Sequence, residues 1–344
     1  MAGMLGVGLV GYGLAGRVFH APLIGAAPGL TLRSVVSRDP AKVWADLPGM
    51  QVVPDLATLL DDDAIDLVVI ATPDALHAEQ AIAALRAGRH VVVDKPFALT
   101  LVDAQSVADA ADAAGRSVTV FHNRRWDADF LTLRRLIGQG ALGEVIQFES
   151  HFDRFRPQVI DRWREHAGAG VWNDLGPHLI DQALVLFGLP DRVIADFAIQ
   201  RPGGQSPDYA HVTLVYPRLR VILHASMMMP ASALRFAVHG TKGSWIKHGL
   251  DPQENALRAG TLPGAEGWGI DRVPAHLSLV GEGAGVETRD APCDPGDYPA
   301  FYAGVAAMIA GDGPNPVPVS QAIDVMRVIE ASRRSADEGR SVAP

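Results

Sequence analysis

Along the first 120 positions, apolar residues come in short unbroken runs separated by polar, turn-rich segments. Residues 5–10, 30–36, 51–53, 65–71, 90–93 and 117–121 read as six strands. The run at 65–71 shows no polar alternation, as expected of a strand covered on both sheet faces. Helical spacing appears between the strands, at 74–87 before Gly88 and at 100–114 before Gly115. This alternation predicts a doubly wound parallel sheet with helices on both faces, a Rossmann-type α/β domain.

The pattern changes near residue 122. Residues 126–137 read as a helix ending at Gly138. Beyond them, segments 144–152, 192–200, 209–216, 220–226 and 235–239 read as strands, several with alternating polarity. They predict an α+β region with a large, mostly antiparallel sheet and one open face. Stretches 260–269 and 281–296 read as loops, and 298–310 and 321–335 as closing helices. Domains are expected at 1–122 and 123–344, with the C-terminal helix packing back on the first. An open sheet face of this size predicts a homodimer or homotetramer built through it.

The polar punctuation carries the chemistry. Gly11-Tyr12-Gly13-Leu14-Ala15-Gly16 follows the first strand and precedes a helical stretch. In that setting Gly11 permits a tight turn, Gly13 admits a pyrophosphate to the backbone, and Gly16 lets helix and strand pack closely. The helix N-terminus then favours the anion. A glycine-rich turn without a ligand is the alternative, since the chain holds 35 glycines. The second cluster is Asp94-Lys95-Pro96 at the end of the fifth strand. A cation there meets a nicotinamide, a phosphate or a substrate oxygen, or is simply solvated. The third is Asp174, His178 and Asp181, at i, i+4 and i+7 on one helix face. Histidine exchanges protons near neutral pH. N-cap duty for Asp174 and a structural hydrogen bond for His178 compete with that reading.

Composition narrows the classes. The chain has 344 residues, 48% of them apolar and 20% charged, which fits a globular protein. A net charge of −9 argues against nucleic-acid binding. Cys293 is the only cysteine, so no intrachain disulfide forms. No run spans a bilayer, and no charged leader or cleavage pattern opens the chain, so a cytoplasmic protein with no membrane partner is expected. His151, His166, His178, Asp174 and Asp181 lie in one region without a zinc signature, and no metal is expected.

The three clusters, in this order, resemble the Gfo/Idh/MocA family, the glucose–fructose oxidoreductase and inositol dehydrogenase group. Asp94 stands where that family has Glu, which keeps the carboxylate and leaves Lys95 and Pro96 in register. The closer resemblance is to the branch holding NADP-dependent scyllo-inositol dehydrogenases. It is carried by Gly16-Arg17-Val18-Phe19-His20-Ala21-Pro22, by Phe121-His122-Asn123-Arg124-Arg125-Trp126-Asp127 and by residues 174–187. The resemblance implies hydride exchange between a nicotinamide cofactor and a hydroxyl or carbonyl of a polyol, inositol or sugar. It implies that His178 exchanges the hydroxyl proton, Lys95 polarises the substrate oxygen, and Asp174 binds a hydroxyl or orients Lys95. It further implies that Arg125, Trp163 and Arg164 border the substrate. Domain 1–122 is then the dinucleotide-binding domain and 123–344 the substrate-binding one.

The remaining cofactor contacts are expected at strand ends: Ala71, Thr72 and Pro73, then His77, Asp94 and Lys95, then Asn123. A surface-facing His77 is the alternative there. Ser37 occupies the position where an acid would bind the ribose of NAD, with Arg38 beside it. That favours NADP(H), while Asp39 keeps NAD(H) open. Two alternatives remain, a redox-neutral epimerase, lyase or glycosidase with a tightly held cofactor, and a non-catalytic dinucleotide sensor. Lys95, Asp174 and His178 argue against the sensor.

Overall fold

The computed structural model describes residues 4–160, 165, 170–231, 234–281, 283 and 285–344. The six early apolar runs form strands β1 (Leu5–Val10), β2 (Leu30–Val36), β3 (Gln51–Val53), β4 (Leu67–Ile70), β5 (His90–Val93) and β6 (Val118–Val120). They pair in parallel in the order β3-β2-β1-β4-β5-β6. The order reverses beside β1, and ligands of such sheets bind at the strand ends of that switch point. Val68, Val69, Val91 and Val92 are fully buried, as runs covered on both faces must be.

Eight later strands form a second sheet: β7 (Val145–Asp153), β8 (Arg192–Ala198), β9 (Tyr209–Val215), β10 (Arg220–Ser226), β11 (Leu234–Gly240), β12 (Gly243–His248), β13 (Ala275–Val280) and β14 (Val286–Ala291). Their order is β14-β13-β12-β11-β7-β10-β9-β8, antiparallel except between β7 and β10. The helix Val171–Phe187 covers one face over β7, β9 and β10. Phe148, Phe152, Val212 and Leu223 are fully buried beneath it. The opposite face presents Glu149, His151, His211 and His224, with exposed Ile194, Val280 and Val286.

Two compact units share the chain. One holds Met1–Trp126, Gln253–Trp268 and Asp297–Met326, and the other holds Asp127–Pro252, Gly269–Gly296 and Arg327–Pro344. The predicted loop at 281–296 needs correction, because Val286–Ala291 is an edge strand paired with β13. Strands β12 and β13 lie outside the predicted segments altogether. Among the described residues, no helix is long and apolar enough to cross a membrane.

Candidate functional site

The glycine loop after β1 separates three steric demands. Gly11 has φ +100°, and a Cβ there would sit 2.7 Å from the Ala71 carbonyl oxygen. A Cβ on Gly16 would collide with the Gly11 carbonyl. A Cβ on Gly13 would meet nothing within 4 Å. Two glycines therefore serve the fold, and the third leaves free space over the loop. Leu14 and Ala15 begin a continuous helical stretch, wound as a π-helix over Ala15–His20 and as an α-helix over Ala21–Ala26. An ion pair braces the loop. Arg17 grips Asp46 through Nε and Nη2 at 2.6 and 2.9 Å, and the Tyr12 hydroxyl donates to Asp46 at 3.3 Å. Burial, then the Asp46 carboxylate, pushes the Tyr12 hydroxyl up to about 12.

A cleft of about 660 Å³ opens at the ends of β1, β2 and β4. Gly11, Tyr12, Gly13, Ala71, Thr72 and Pro73 line one side. Ser37, Arg38, Asp39 and Lys42 line the end of β2. Asp39 caps the helix Pro40–Asp46, its side chain accepting from Lys42 N at 3.1 Å. Ser37 Oγ closes a local turn on the Asp39 backbone. Lys42, one turn into that helix, escaped the sequence reading, although its spacing from an N-cap aspartate is a usable signal. The open Gly13 and the two cations fit an extended, phosphate-bearing dinucleotide.

At the end of β5, Lys95 is half-buried and its backbone N–H donates to Asp94 Oδ1 at 2.9 Å. Behind Asp94 lies buried His20, its Nε2 3.7 Å from Asp94 Oδ1 and its Nδ1 2.6 Å from the Tyr302 hydroxyl. The first distance is longer than a hydrogen bond. Burial raises the Asp94 carboxyl, but His20, Lys95 and His77 together outweigh it and hold the group below its ordinary range.

His77 requires a correction. It is 1% exposed, and its ring nitrogens lie 2.8 Å from Pro96 O and 2.9 Å from Thr72 O. The surface-facing alternative is therefore overturned, and the ring ties the β4 and β5 ends together. Asn123 is buried in a 3-10 turn after β6. Arg125 is buried as well, and its guanidinium donates to Gln321 Oε1 at 2.8 Å and to Pro316 O at 3.3 Å.

In the second unit, the helix begins at Val171, so Pro177 lies inside it rather than in its first turn. Asp174 is thus a helical residue, and the N-cap is Gly170. Asp174, His178 and Asp181 share a face. His178 is 6% exposed and stacks on Phe152, with ring centroids 6.4 Å apart. Asp174 borders a water-sized cavity with Glu165, Arg201 and Asp208. Arg201 holds both acids, at 2.5 Å from Glu165 and 2.8 Å from Asp208. Trp163, Arg164 and His166 lie outside the described residues.

Comparison with known proteins decides the family. Residues 5–122 match the NAD-binding Rossmann fold of the Gfo/Idh/MocA oxidoreductases, and residues 134–343 match their C-terminal alpha/beta domain. The chain belongs to the Gfo/Idh/MocA oxidoreductase family. It is 52% identical to the uncharacterized oxidoreductase YdgJ of Escherichia coli, covering 98% of this chain and 97% of the relative. It is 39% identical to the scyllo-inositol 2-dehydrogenase (NADP(+)) IolW of Bacillus subtilis, covering 98% and 95%. The solved YPO2259 structure from Yersinia pestis superposes with a TM-score of 0.97 at 49% identity, covering 100% of this chain and 98% of that one. The family assignment makes the first sheet part of an NAD-binding Rossmann domain and the chain an oxidoreductase.

Proposed function

We propose that this oxidoreductase is an NADP-dependent dehydrogenase of a polyol, inositol or sugar. The observation that carries the cofactor choice is the end of β2. There Asp39 is engaged as a helix cap, while Arg38 and Lys42 line the cleft. Guanidinium and ammonium groups suit a ribose 2′-phosphate, which a free carboxylate would repel. The substrate class is supported by the IolW relative, a scyllo-inositol dehydrogenase by name.

The nicotinamide cofactor, when bound, supplies the hydride acceptor or donor. The chain supplies position and proton transfer. Lys95 stabilises negative charge developing on the substrate oxygen, an effect strongest where water is excluded. His178 takes the hydroxyl proton in oxidation and returns it in reduction. Asp174 binds a substrate hydroxyl.

Initial rates with inositols, hexoses and sugar acids, each with NADP and NAD, test the reading. Arg38→Ala and Lys42→Ala each weaken NADP binding by about 10-fold or more, the scale of a charged hydrogen bond, and spare NAD. Lys95→Ala and His178→Ala each lower turnover by about 100-fold or more. A strong preference for NAD overturns the cofactor choice. Unchanged turnover in both catalytic variants overturns the mechanism. Turnover without net NADPH formation assigns the redox-neutral class instead.

A further inference from the structure

We propose that His151, Asp153 and His224 form a binding site for a first-row divalent cation, with zinc the best match, on the uncovered face of the eight-stranded sheet. The site is independent of the dinucleotide cleft and of the reaction proposed above. It stands on sheet register. Strands β7 and β10 run parallel, with His224 opposite His151 and Ser226 opposite Asp153. Residues two apart on a strand share a face, so His151, Asp153 and His224 project together.

The side chains are already gathered. The Asp153 carboxylate lies between two imidazoles, with Oδ1 2.8 Å from His224 Nδ1 and Oδ2 3.4 Å from His151 Nδ1. One donor atom from each residue falls within 4.8 Å of the others. A tetrahedral shell with zinc bonds of 2.0–2.1 Å needs donors about 3.3 Å apart. The side chains of Asp153 and His224 are 3% and 7% exposed.

The surroundings match a metal's outer shell. His151 Nε2 lies 3.4 Å from Glu149 Oε2, so the ring has a carboxylate for its second N–H while Nδ1 faces Asp153. A carboxylate behind a ligating histidine fixes its tautomer and raises its basicity. His211 lies opposite His224 on β9, with ring centroids 5.9 Å apart, beside the three-residue cluster. Two imidazoles and a carboxylate form a mixed N/O set that suits zinc over calcium or magnesium. Sequence spacing concealed the site, because His224 joins Asp153 from 71 positions away.

The experiment uses the full chain, dialysed against EDTA and titrated with zinc chloride by calorimetry, with metal content read by mass spectrometry. One zinc per chain is expected, with a rise in Tm that grows with zinc concentration. His224→Ala and Asp153→Asn abolish both signals. Glu149→Gln weakens binding by about 10- to 100-fold, the scale of an outer-shell loss. His276→Ala retains the site, since His276 is an exposed histidine on β13 paired with Asp290 at 3.0 Å. Far-UV circular dichroism in EDTA establishes that each variant is folded. His151→Gln replaces any variant that is not. Cobalt substitution gives visible d–d bands in the wild type and none in folded variants. Absence of stoichiometric metal in the wild type overturns the proposal. So does zinc binding of wild-type strength in two folded ligand variants.

Discussion

At the scale of single residues, the three glycines of the loop make a sharp test because their burdens differ. Gly16→Ala drives a methyl group into the Gly11 carbonyl, a backbone atom that cannot swing aside. It is expected to cost about 1–3 kcal/mol, the usual price of overpacking, visible as a lower Tm. Gly13→Ala meets no protein atom, so Tm holds. The added methyl occupies the free space over the loop, and dinucleotide affinity falls. A matched loss of Tm in both variants would show that Gly13 serves the fold as Gly16 does. Cys293 gives a pH test. Burial, reinforced by Asp129, pushes its thiol up to about 12, with Lys247 pulling the other way. The folded state therefore keeps its proton where the unfolded chain ionises, near pH 8.5. Stability from this group is intact below that pH and is lost as pH climbs towards about 12. Alkylation by iodoacetamide at pH 8.5 is expected to run about 100-fold or more slower in native protein than in urea. Equal rates would show a free, exposed thiol. The steric role of Gly16 was legible from sequence because the carbonyl it approaches, that of Gly11, is five positions away. The packing partners of His77 and Arg125 were not legible, because Pro96 and Gln321 lie 19 and 196 positions away.

At the scale of elements, legibility followed burial. β4, buried throughout, and β5, buried beyond His90, announced themselves as apolar runs. β14 is an edge strand exposed along nearly its whole length, so no apolar period marked it, and its glycine flanks read as a loop. The helix Val171–Phe187 was anticipated by the spacing of Asp174, His178 and Asp181, but an N-cap at Asp174 would start it four residues late, since the N-cap is Gly170. Pro177 forfeits one backbone hydrogen bond and does not end the helix, which packs on three strands. A buried ion cluster of Arg201, Glu165 and Asp208 is one that spacing could not reveal. Arg201 is 3% exposed between Glu165 and Asp208, which are 7% and fully buried. Removing the cation takes away the positive charge that Glu165 and Asp208 share in a low dielectric. Arg201→Met is expected to destabilise the protein by about 3–5 kcal/mol in urea unfolding. The triple variant Arg201→Met, Glu165→Gln, Asp208→Asn recovers much of that loss, because no buried charge is left unpaired. A loss in the triple variant as large as in the single one would assign the cost to packing.

At the scale of the whole molecule, the chain is not partitioned at one boundary. The unit built on the parallel sheet takes Gln253–Trp268 and Asp297–Met326 from far along the sequence. Those late residues satisfy early ones. Thr119 Oγ1 on β6 donates to Val317 O at 3.0 Å, and Asn315 Nδ2 donates to Val118 O at 2.9 Å. Phe121 packs edge-on against Phe301 at 5.0 Å, and His20 bonds Tyr302. A fragment ending at Trp126 keeps every strand of the parallel sheet yet exposes Phe121 and leaves buried His20 without its tyrosine. Such exposed apolar surface promotes aggregation. The fragment 1–126 is therefore expected to lack cooperative thermal unfolding and to aggregate, despite carrying the glycine loop and the whole cleft. Joining residues 253–268 and 297–326 back through flexible linkers restores a cooperative transition, because the missing contacts come from those segments. Calorimetry of both polypeptides checks this. A cooperative transition in 1–126 at the full chain's Tm would mean that the parallel sheet is self-sufficient, and that the late segments stabilise something other than its core.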